Sequence, residues 1–344
     1  MARRRIAVIG LGMAVKPHAR SLLDLHEQVE VAGCYSPTQA RRAAFAEAWG
    51  LPVTDDLDAL LADPGLEAVM ILTPPNTHLD LVRRAAEAGK HILLEKPLEI
   101  STDRAVELVR SVEAAGVTMG VVLQNRFRSG GLALEALRAE GRLGELVSAT
   151  LQLRNWRPQS YYDEPGRGTL ARDGGGVLLT QGVHPIDQLI AFAGLPSEVM
   201  AYAGTSAVHR METEDVAAAA LSFAGGAIGT LAASTCTYPG LPTEIEIVGT
   251  KGGARLVDSR LTAAFHNGTT MEAGRENAVG GQGADPMAFD HGHHRAVLAD
   301  FLEAIETGRA PKISGRDALR AHFLIDAILA SARSGRAETV AQDI

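Results

Sequence analysis

Lys96 is the first side chain in this sequence with a clear chemical reading. It closes the run Gly89-Lys90-His91-Ile92-Leu93-Leu94-Glu95-Lys96-Pro97. A glycine that stops a helix, followed by an apolar segment too short for a second helix, reads as a strand of a parallel sheet. Ligands of open α/β sheets bind beyond the carboxyl ends of the strands, so an amine at that end is aimed at a site. An ordinary surface lysine capping a strand is the plainer alternative. Pro97 stops the strand just after it. A second group lies in Thr180-Gln181-Gly182-Val183-His184-Pro185-Ile186-Asp187. On one helix, Thr180 and His184 share a face at i and i+4, with Asp187 three residues further on.

The third chemical stretch is Gly10-Leu11-Gly12-Met13-Ala14-Val15, between the β-branched run Ile6 to Ile9 and a helix pattern through Leu23. A strand, glycine turn and helix in this order let backbone N–H groups and the helix dipole hold a pyrophosphate. Gly10, Gly12, Met13 and Ala14 are therefore candidate dinucleotide contacts, although Val15 stands where the usual fingerprint has a third glycine. Val29 to Cys34 reads as the next strand. Its end carries Tyr35-Ser36-Pro37 where an acid would bind the ribose hydroxyls of NAD. With no acid there, and with Arg41-Arg42 one turn on, Ser36 and Arg41 lean towards NADP; a solvated helix face is the alternative.

The elements that must position these groups follow a regular plan. Strand patterns alternate with helix patterns up to about residue 123: Glu67 to Thr73 is a strand broken by Pro74-Pro75, Leu79 to Ala88 a helix, and Ser101 to Ala115 a helix ending at Gly116. That alternation predicts a doubly wound parallel sheet. From residue 146 onward, segments such as Leu146 to Leu153 and Glu244 to Val248 alternate apolar and polar residues, and Gly225-Gly226 and Gly252-Gly253 read as hairpin turns. A mostly antiparallel open sheet packed on helices is expected there. Before Gly174-Gly175-Gly176 and the helix pattern Val177 to Phe192, the loop Asn155-Trp156-Arg157-Pro158-Gln159-Ser160-Tyr161-Tyr162-Asp163 groups aromatics, Arg and Gln. Rings stack on sugar faces, while guanidinium and amide groups bond hydroxyls or phosphates. A domain-packing loop is the alternative.

The 344 residues suggest two domains. A net charge of −8 without a basic stripe excludes nucleic acid as the main partner. Cys34 and Cys236 have no metal or redox spacing, which suits a reducing compartment and a cytoplasmic protein. Arg3-Arg4-Arg5 before an apolar run imitates a secretory signal, but glycines and Lys16-Pro17 break it, and no segment approaches a membrane span. Asp290-His291-Gly292-His293-His294 opens a helix and lacks the spacing of a closed zinc site, so a solvated helix start is expected and no metal.

Taken together, Gly10-x-Gly12, Thr73-Pro74-Pro75-Asn76-Thr77-His78 and Gly89 to Leu98 resemble the glucose-fructose oxidoreductase, inositol dehydrogenase and rhizopine catabolism (Gfo/Idh/MocA) family. The resemblance extends over nearly the whole chain. It implies an N-terminal Rossmann domain over residues 1–123 and a C-terminal α+β domain for substrate binding and oligomerisation over 124–344. By the same resemblance Thr73, Pro74, Asn76, His78 and Glu95 line the cofactor cleft, and Lys96 lies near the nicotinamide and the substrate hydroxyl. Arg126, in the stretch Gln124 to Phe127, belongs to the crossover into the second domain and is counted with the substrate contacts. Many relatives carry Asp-x-x-x-His where this chain has Thr180-x-x-x-His184, so a carboxylate that would tune the imidazole is replaced. Gln181, with the Tyr-Tyr and triple-glycine stretches before it, is closer to the branch acting on nucleotide-linked sugars.

The expectation is therefore an NAD(P)-dependent dehydrogenase moving a hydride between nicotinamide and a secondary alcohol of a sugar or sugar derivative. Lys96 is the expected base, its pKa lowered from ~10.4 by burial and the positive nicotinamide. His184 shares the proton or orients the hydroxyl. The substrate set is Arg126, Trp156, Arg157, Gln159, Tyr161, Tyr162, Thr180, Gln181 and Asp187, and a homodimer or homotetramer is implied. The competing readings are a non-enzymatic cofactor-binding regulator of the same fold and a dihydrodiol dehydrogenase-like enzyme on a non-sugar substrate.

Overall fold

The computed structural model describes residues 3–274 and 290–344. The first part alternates as β1 (Arg4–Ile9), α1 (Val15–Asp24), β2 (Val29–Tyr35), α2 (Gln39–Trp49), β3 (Val53–Thr54), α3 (Leu57–Ala62), β4 (Ala68–Ile71), α4 (His78–Glu87), β5 (His91–Glu95), α5 (Thr102–Ala115) and β6 (Met119–Val122). The strands pair in parallel in the order β3-β2-β1-β4-β5-β6, as expected. Ile6 to Ile9, Ala68 to Ile71 and Ile92 to Leu94 are buried on both faces, which is why these strands read as unbroken apolar runs. The strand order reverses direction between β1 and β4, and that switch point is where such folds bind ligands. Asp56 caps α3 by accepting the Ala59 N–H at 2.8 Å, and left-handed Gly50 and Gly116 end α2 and α5.

The second part contains α6 (Ser129–Ala139), β7 (Leu146–Arg154), α7 (Gln159–Tyr162), α8 (Leu170–Asp173), α9 (Val177–Thr180), α10 (Val183–Ala193), β8 (Glu198–Gly204), β9 (Val216–Ser222), β10 (Ile228–Ser234), β11 (Glu244–Gly249), β12 (Gly252–Val257), β13 (Arg260–Phe265), β14 (Thr270–Ala273), α11 (Gly292–Thr307), α12 (Gly315–Ser334) and β15 (Glu338–Thr339). Its nine strands run β14-β13-β12-β11-β7-β10-β9-β8-β15. Every pair is antiparallel except β7 with β10. In β8, β9 and β10 buried and exposed residues alternate, the pattern of a sheet with one face on a core.

The chain divides into two compact units. The first runs to Gln124 and takes back α11 and the residues to Ala318; the second starts at Asn125 and includes Leu319–Ile344. This differs from a single division at 123/124. The reason is the apolar stripe of α11, whose Val297, Leu298, Phe301 and Leu302 are buried where it packs on α1, β5 and β6.

Of three further expectations, one holds and two change. Gly225-Gly226 does form the turn between β9 and β10, with φ of 87° and 88°. Gly252-Gly253 instead opens β12, where a Cβ on Gly252 would lie 2.6 Å from the Ala264 carbonyl oxygen. The helix expected over Val177 to Phe192 is two helices. Gly182 separates α9 from α10, its own N–H reaching back five residues to the Val177 carbonyl at 2.7 Å, so Thr180 ends one helix and His184 lies in the first turn of the next. Among the described residues no helix is long and apolar enough to cross a membrane.

Candidate active site

In the first unit the chemistry gathers at the carboxyl edge of the parallel sheet. Gly10 follows β1 with φ 106°, and a Cβ there would sit 2.9 Å from the Leu72 carbonyl carbon and the Thr73 methyl. Only glycine fits where the β1 turn crosses the end of β4. Gly12 differs: a Cβ there meets nothing within 4 Å. That open space above an α1 start which no side chain caps suits a pyrophosphate. Val15, in the place of a third glycine, is the first residue of α1 and is buried in the core, so its side chain leaves the turn clear. Met13 is exposed beside the turn. The residues present therefore fit a dinucleotide.

Ser36, just after β2, is buried; its Oγ accepts the Thr38 N–H and its carbonyl accepts from Arg42, which also pairs with Asp55 at 2.9 Å. Arg41 is exposed on α2. At the end of β4, the Thr77 hydroxyl reaches the Thr73 hydroxyl and the Pro74 carbonyl, both at 2.8 Å, and Pro74 and Asn76 are exposed. His78 is fully buried. Its ring lies 2.9 Å from the Thr73 carbonyl oxygen on one side and 3.1 Å from those of Pro97 and Leu98 on the other. It thus ties the Thr73 turn to the Lys96-Pro97 turn from inside. Burial holds its pKa below the ordinary histidine value against these carbonyls.

Lys96 is half-buried at the end of β5, and its peptide bond to Pro97 is cis. Its backbone N–H donates to Glu95 Oε2 at 2.9 Å, while Glu95 Oε1 meets His18 Nε2 at 2.9 Å. Burial favours the neutral carboxyl of Glu95, yet the His18 hydrogen bond and the nearby Lys96 charge outweigh it and keep the group below its ordinary range. His294 of α11 sits edge-on to His18, ring centroids 5.1 Å apart, and is itself buried. Burial and the neighbouring His18 lower it to about 3. The helix start expected to be solvated is thus partly interior: His291 reaches Asp24 at 2.8 Å at the surface, but His294 does not face water. His18, Glu95 and His294 place ligand-type atoms within 4.8 Å of one another. Nothing in the spacing of His18 and His294 along the chain signalled that meeting.

The second unit holds the expected substrate residues, several of them already engaged. Arg126 bonds Glu135 at 3.1 Å and buried Asp187 at 3.3 Å, so two expected substrate contacts pair with each other. Tyr162 is buried with its hydroxyl 2.9 Å from Thr235 Oγ1, and burial pushes its pKa up to about 12. Its ring packs 4.8 Å from that of His209. Gln159 accepts the Arg210 N–H at 2.8 Å. The Thr180 hydroxyl bonds the Gly176 carbonyl and the Gln181 side chain. Trp156, Arg157, Tyr161, Gln181 and His184 are half-buried. Arg157 and Arg167 both lie over the Tyr161 ring, at 5.5 and 4.1 Å, and Trp156 meets exposed Tyr238 edge-on at 5.4 Å. Tyr238 and the group of buried His209 and Asp215 with half-buried Cys236 were not legible in the loop itself, since they arrive from other segments.

Comparisons agree with this architecture. Residues 4–123 match the oxidoreductase family with the NAD-binding Rossmann fold, and residues 132–255 match the GFO/IDH/MocA C-terminal domain. D-xylose 1-dehydrogenase (NADP(+)) 2 of Haloferax volcanii is 31% identical over 312 residues, covering 90% of this chain and 91% of that protein. The NAD(+)-dependent scyllo-inositol 2-dehydrogenase of Bacillus subtilis is 26% identical, covering 91% of this chain and 90% of its own. The WlbA dehydrogenase of Bordetella pertussis, solved with NADH and UDP-GlcNAcA, is 27% identical with a TM-score of 0.84, covering 99% of this chain and 100% of that one. With its glycine turn, its strand-end lysine and relatives of this breadth, the chain belongs to the GFO/IDH/MocA family of NAD-binding oxidoreductases.

Proposed function

We propose that this oxidoreductase interconverts a secondary alcohol and a ketone on a sugar or sugar derivative, a class that extends to nucleotide-linked sugars. The observation that carries the reading is Lys96 at the carboxyl end of β5, held through its own N–H by Glu95 on the sheet edge that bears the glycine turn. Bound NAD(P) would supply the hydride acceptor or donor. Lys96 Nζ takes the hydroxyl proton when the alcohol is oxidised and returns it in the reverse direction. His184, with Thr180 in place of a carboxylate, orients the hydroxyl. Gly10, Gly12, Met13, Ala14, Thr73, Pro74 and Asn76 hold the dinucleotide, and buried His78 and Glu95 set the turns that carry them.

Arg157, Trp156, Tyr161, Gln181 and Arg126 form the sugar-binding set. The Arg157 guanidinium beside Tyr161 favours a substrate with an anionic part, and the WlbA dehydrogenase was solved with UDP-GlcNAcA; Arg167 over the same ring is paired with Glu164 at 2.7 Å. Ser36 without an acid and exposed Arg41 support NADP over NAD. The exposed face of the nine-stranded sheet, with Met200, Tyr202, Val216 and Ile228, supports a homodimer or homotetramer.

The test is a parallel fluorescence titration with NADPH and NADH, followed by absorbance assays over neutral, anionic and nucleotide-linked sugars. Tenfold tighter NADPH, worth ~1.4 kcal/mol, together with turnover of an anionic sugar is the expected result. Tight cofactor binding with no hydride transfer to any sugar would instead favour a cofactor-binding regulator, and no binding of either dinucleotide would remove the reading altogether.

A further inference from the structure

The loop from Asn155 to Gly176 in the second unit carries Trp156, Arg157 and Tyr161, yet its regular structure amounts to two four-residue helices, α7 and α8. Helices that short have no stability of their own. One isolated antiparallel bridge, Trp156 to Cys236, ties its start to the sheet. Tyr162 adds a side-chain bond to Thr235 at 2.9 Å, and a further set of ties comes from the segment His209-Arg210-Met211-Glu212-Thr213-Glu214-Asp215, which leads into β9. His209 Nε2 lies 2.8 Å from the Arg157 carbonyl oxygen. The Arg210 N–H donates to Gln159 Oε1 at 2.8 Å, and Gln159 Nε2 returns a bond to the Arg210 carbonyl at 3.3 Å. The Glu212 N–H donates to the Gly168 carbonyl, and Glu212 Oε2 accepts the Leu170 N–H, both at 3.0 Å. Glu214 accepts the N–H groups of Gly176 and Leu178 at 3.0 Å. A Cβ on Gly176 would lie 1.7 Å from the Glu214 carbonyl oxygen, so the last of the three glycines is required by this crossing segment.

The segment is closed on itself by His209 Nδ1 and Asp215 Oδ2 at 2.8 Å, both side chains fully buried. Asp215 also accepts the Ser206 N–H at 2.7 Å and the Ser206 hydroxyl at 2.8 Å. A carbonyl only accepts, so the His209 ring donates to Arg157 from its Nε2–H while its Nδ1 faces the Asp215 carboxyl group.

We propose that residues 209–215 form a strap that positions the substrate loop, with His209 as a positioning residue for sugar recognition through the Arg157 carbonyl. This rests on the sugar dehydrogenase reading given above. Arg157 is held on both sides, its N–H donating to the Thr235 carbonyl at 2.9 Å and its carbonyl accepting from His209. Release of the second bond frees the turn on which Trp156, Arg157 and Tyr161 are mounted.

The experiment compares the full chain with His209→Phe, which fills the volume without hydrogen bonds, and with Asp215→Asn. The side-chain amide introduced by Asp215→Asn can donate to Nδ1 of a neutral ring whose Nε2–H still reaches Arg157, so this variant preserves the tie. Amide hydrogen exchange read by mass spectrometry, without sugar, should quicken at least tenfold across residues 155–176 in His209→Phe, stay within threefold in Asp215→Asn, and remain unchanged in β1 to β6. For a sugar turned over by the parent, KM should rise at least tenfold in His209→Phe with kcat altered less than threefold and the NADPH Kd unchanged. Parent-like exchange over 155–176, or an unchanged KM, overturns the proposal. If the parent turns over no sugar, the exchange result alone decides the strap, and it is the dehydrogenase reading that falls. If His209→Phe does not fold, Gln159→Ala serves in its place: faster exchange over residues 157–163 supports the strap and unchanged exchange there overturns it.

Discussion

His18 and Glu95, 77 residues apart in sequence, meet at 2.9 Å in the interior of the first unit, and the same carboxylate accepts the backbone N–H of Lys96. A proposed catalytic lysine is therefore mounted on a buried carboxylate that a histidine from α1 holds in place. Its backbone has little freedom, while its side chain keeps the length to reach a substrate.

Lys96→Met should lower turnover by ~10²-fold or more, since the proton acceptor is gone, while NAD(P)H titration retains its affinity. Lys96→Arg should not restore activity, because a guanidinium does not give up its proton near neutral pH. Steady-state rates beside cofactor titrations check both; parent-like turnover in either variant would sink the assignment.

Gly12→Ala and Gly10→Ala should separate binding from folding. A Cβ at Gly12 meets no protein atom within 4 Å, so stability should move by less than ~0.5 kcal/mol while cofactor affinity falls tenfold or more. At Gly10, φ of 106° and contacts at 2.9 Å should destabilise the fold by at least ~2 kcal/mol. Urea unfolding and NADPH titration read the two effects independently.

Acid should weaken the fold before the carboxylates titrate. His294 is lowered to about 3 in the folded state against about 6.5 unfolded, so the unfolded chain binds the extra proton. Its contribution is complete above about pH 6.5 and is lost as the pH falls towards about 3, at up to ~1.4 kcal/mol per pH unit. Glu95, with its pKa depressed, adds a further loss at lower pH, below the unfolded value of about 4.3. His294→Leu should flatten the upper part of the profile, measured by unfolding at pH 7, 6 and 5; an unchanged slope would refute the buried neutral histidine.

Ile228→Asp with Tyr202→Asp should convert a homo-oligomer to monomers, since both residues project from the exposed sheet face at 67% and 75% exposure. Light scattering after gel filtration measures the mass directly. A monomeric parent would end the proposal that this face pairs copies of the chain.

Cys34 should resist alkylation at pH 8 in the folded protein and react after denaturation. Burial raises its pKa to about 12, leaving almost no thiolate. Rapid labelling of Cys34 in the native state would contradict its burial within β2.

Much of this protein was determined locally. Buried β-branched runs, helix caps such as Asp56 and the glycine turn act through neighbours a few residues away, so the parallel sheet, the Gly10-Gly12 turn and the placing of Lys96 at a strand end are legible in order along the chain. The alternation of β8 to β10 likewise follows from the two-residue period of a strand. What the tertiary structure alone decided is which polar groups remain available. Asp187 is taken by Arg126, Tyr162 by Thr235, Gln159 by Arg210 and Glu95 by His18. Each buried donor or acceptor must find a partner, and that partner comes from whichever segment the fold brings alongside. No spacing within the loop 155–163 announces that His209 and Asp215 will close over it, because α8, α9, α10 and β8 lie between the two segments along the chain.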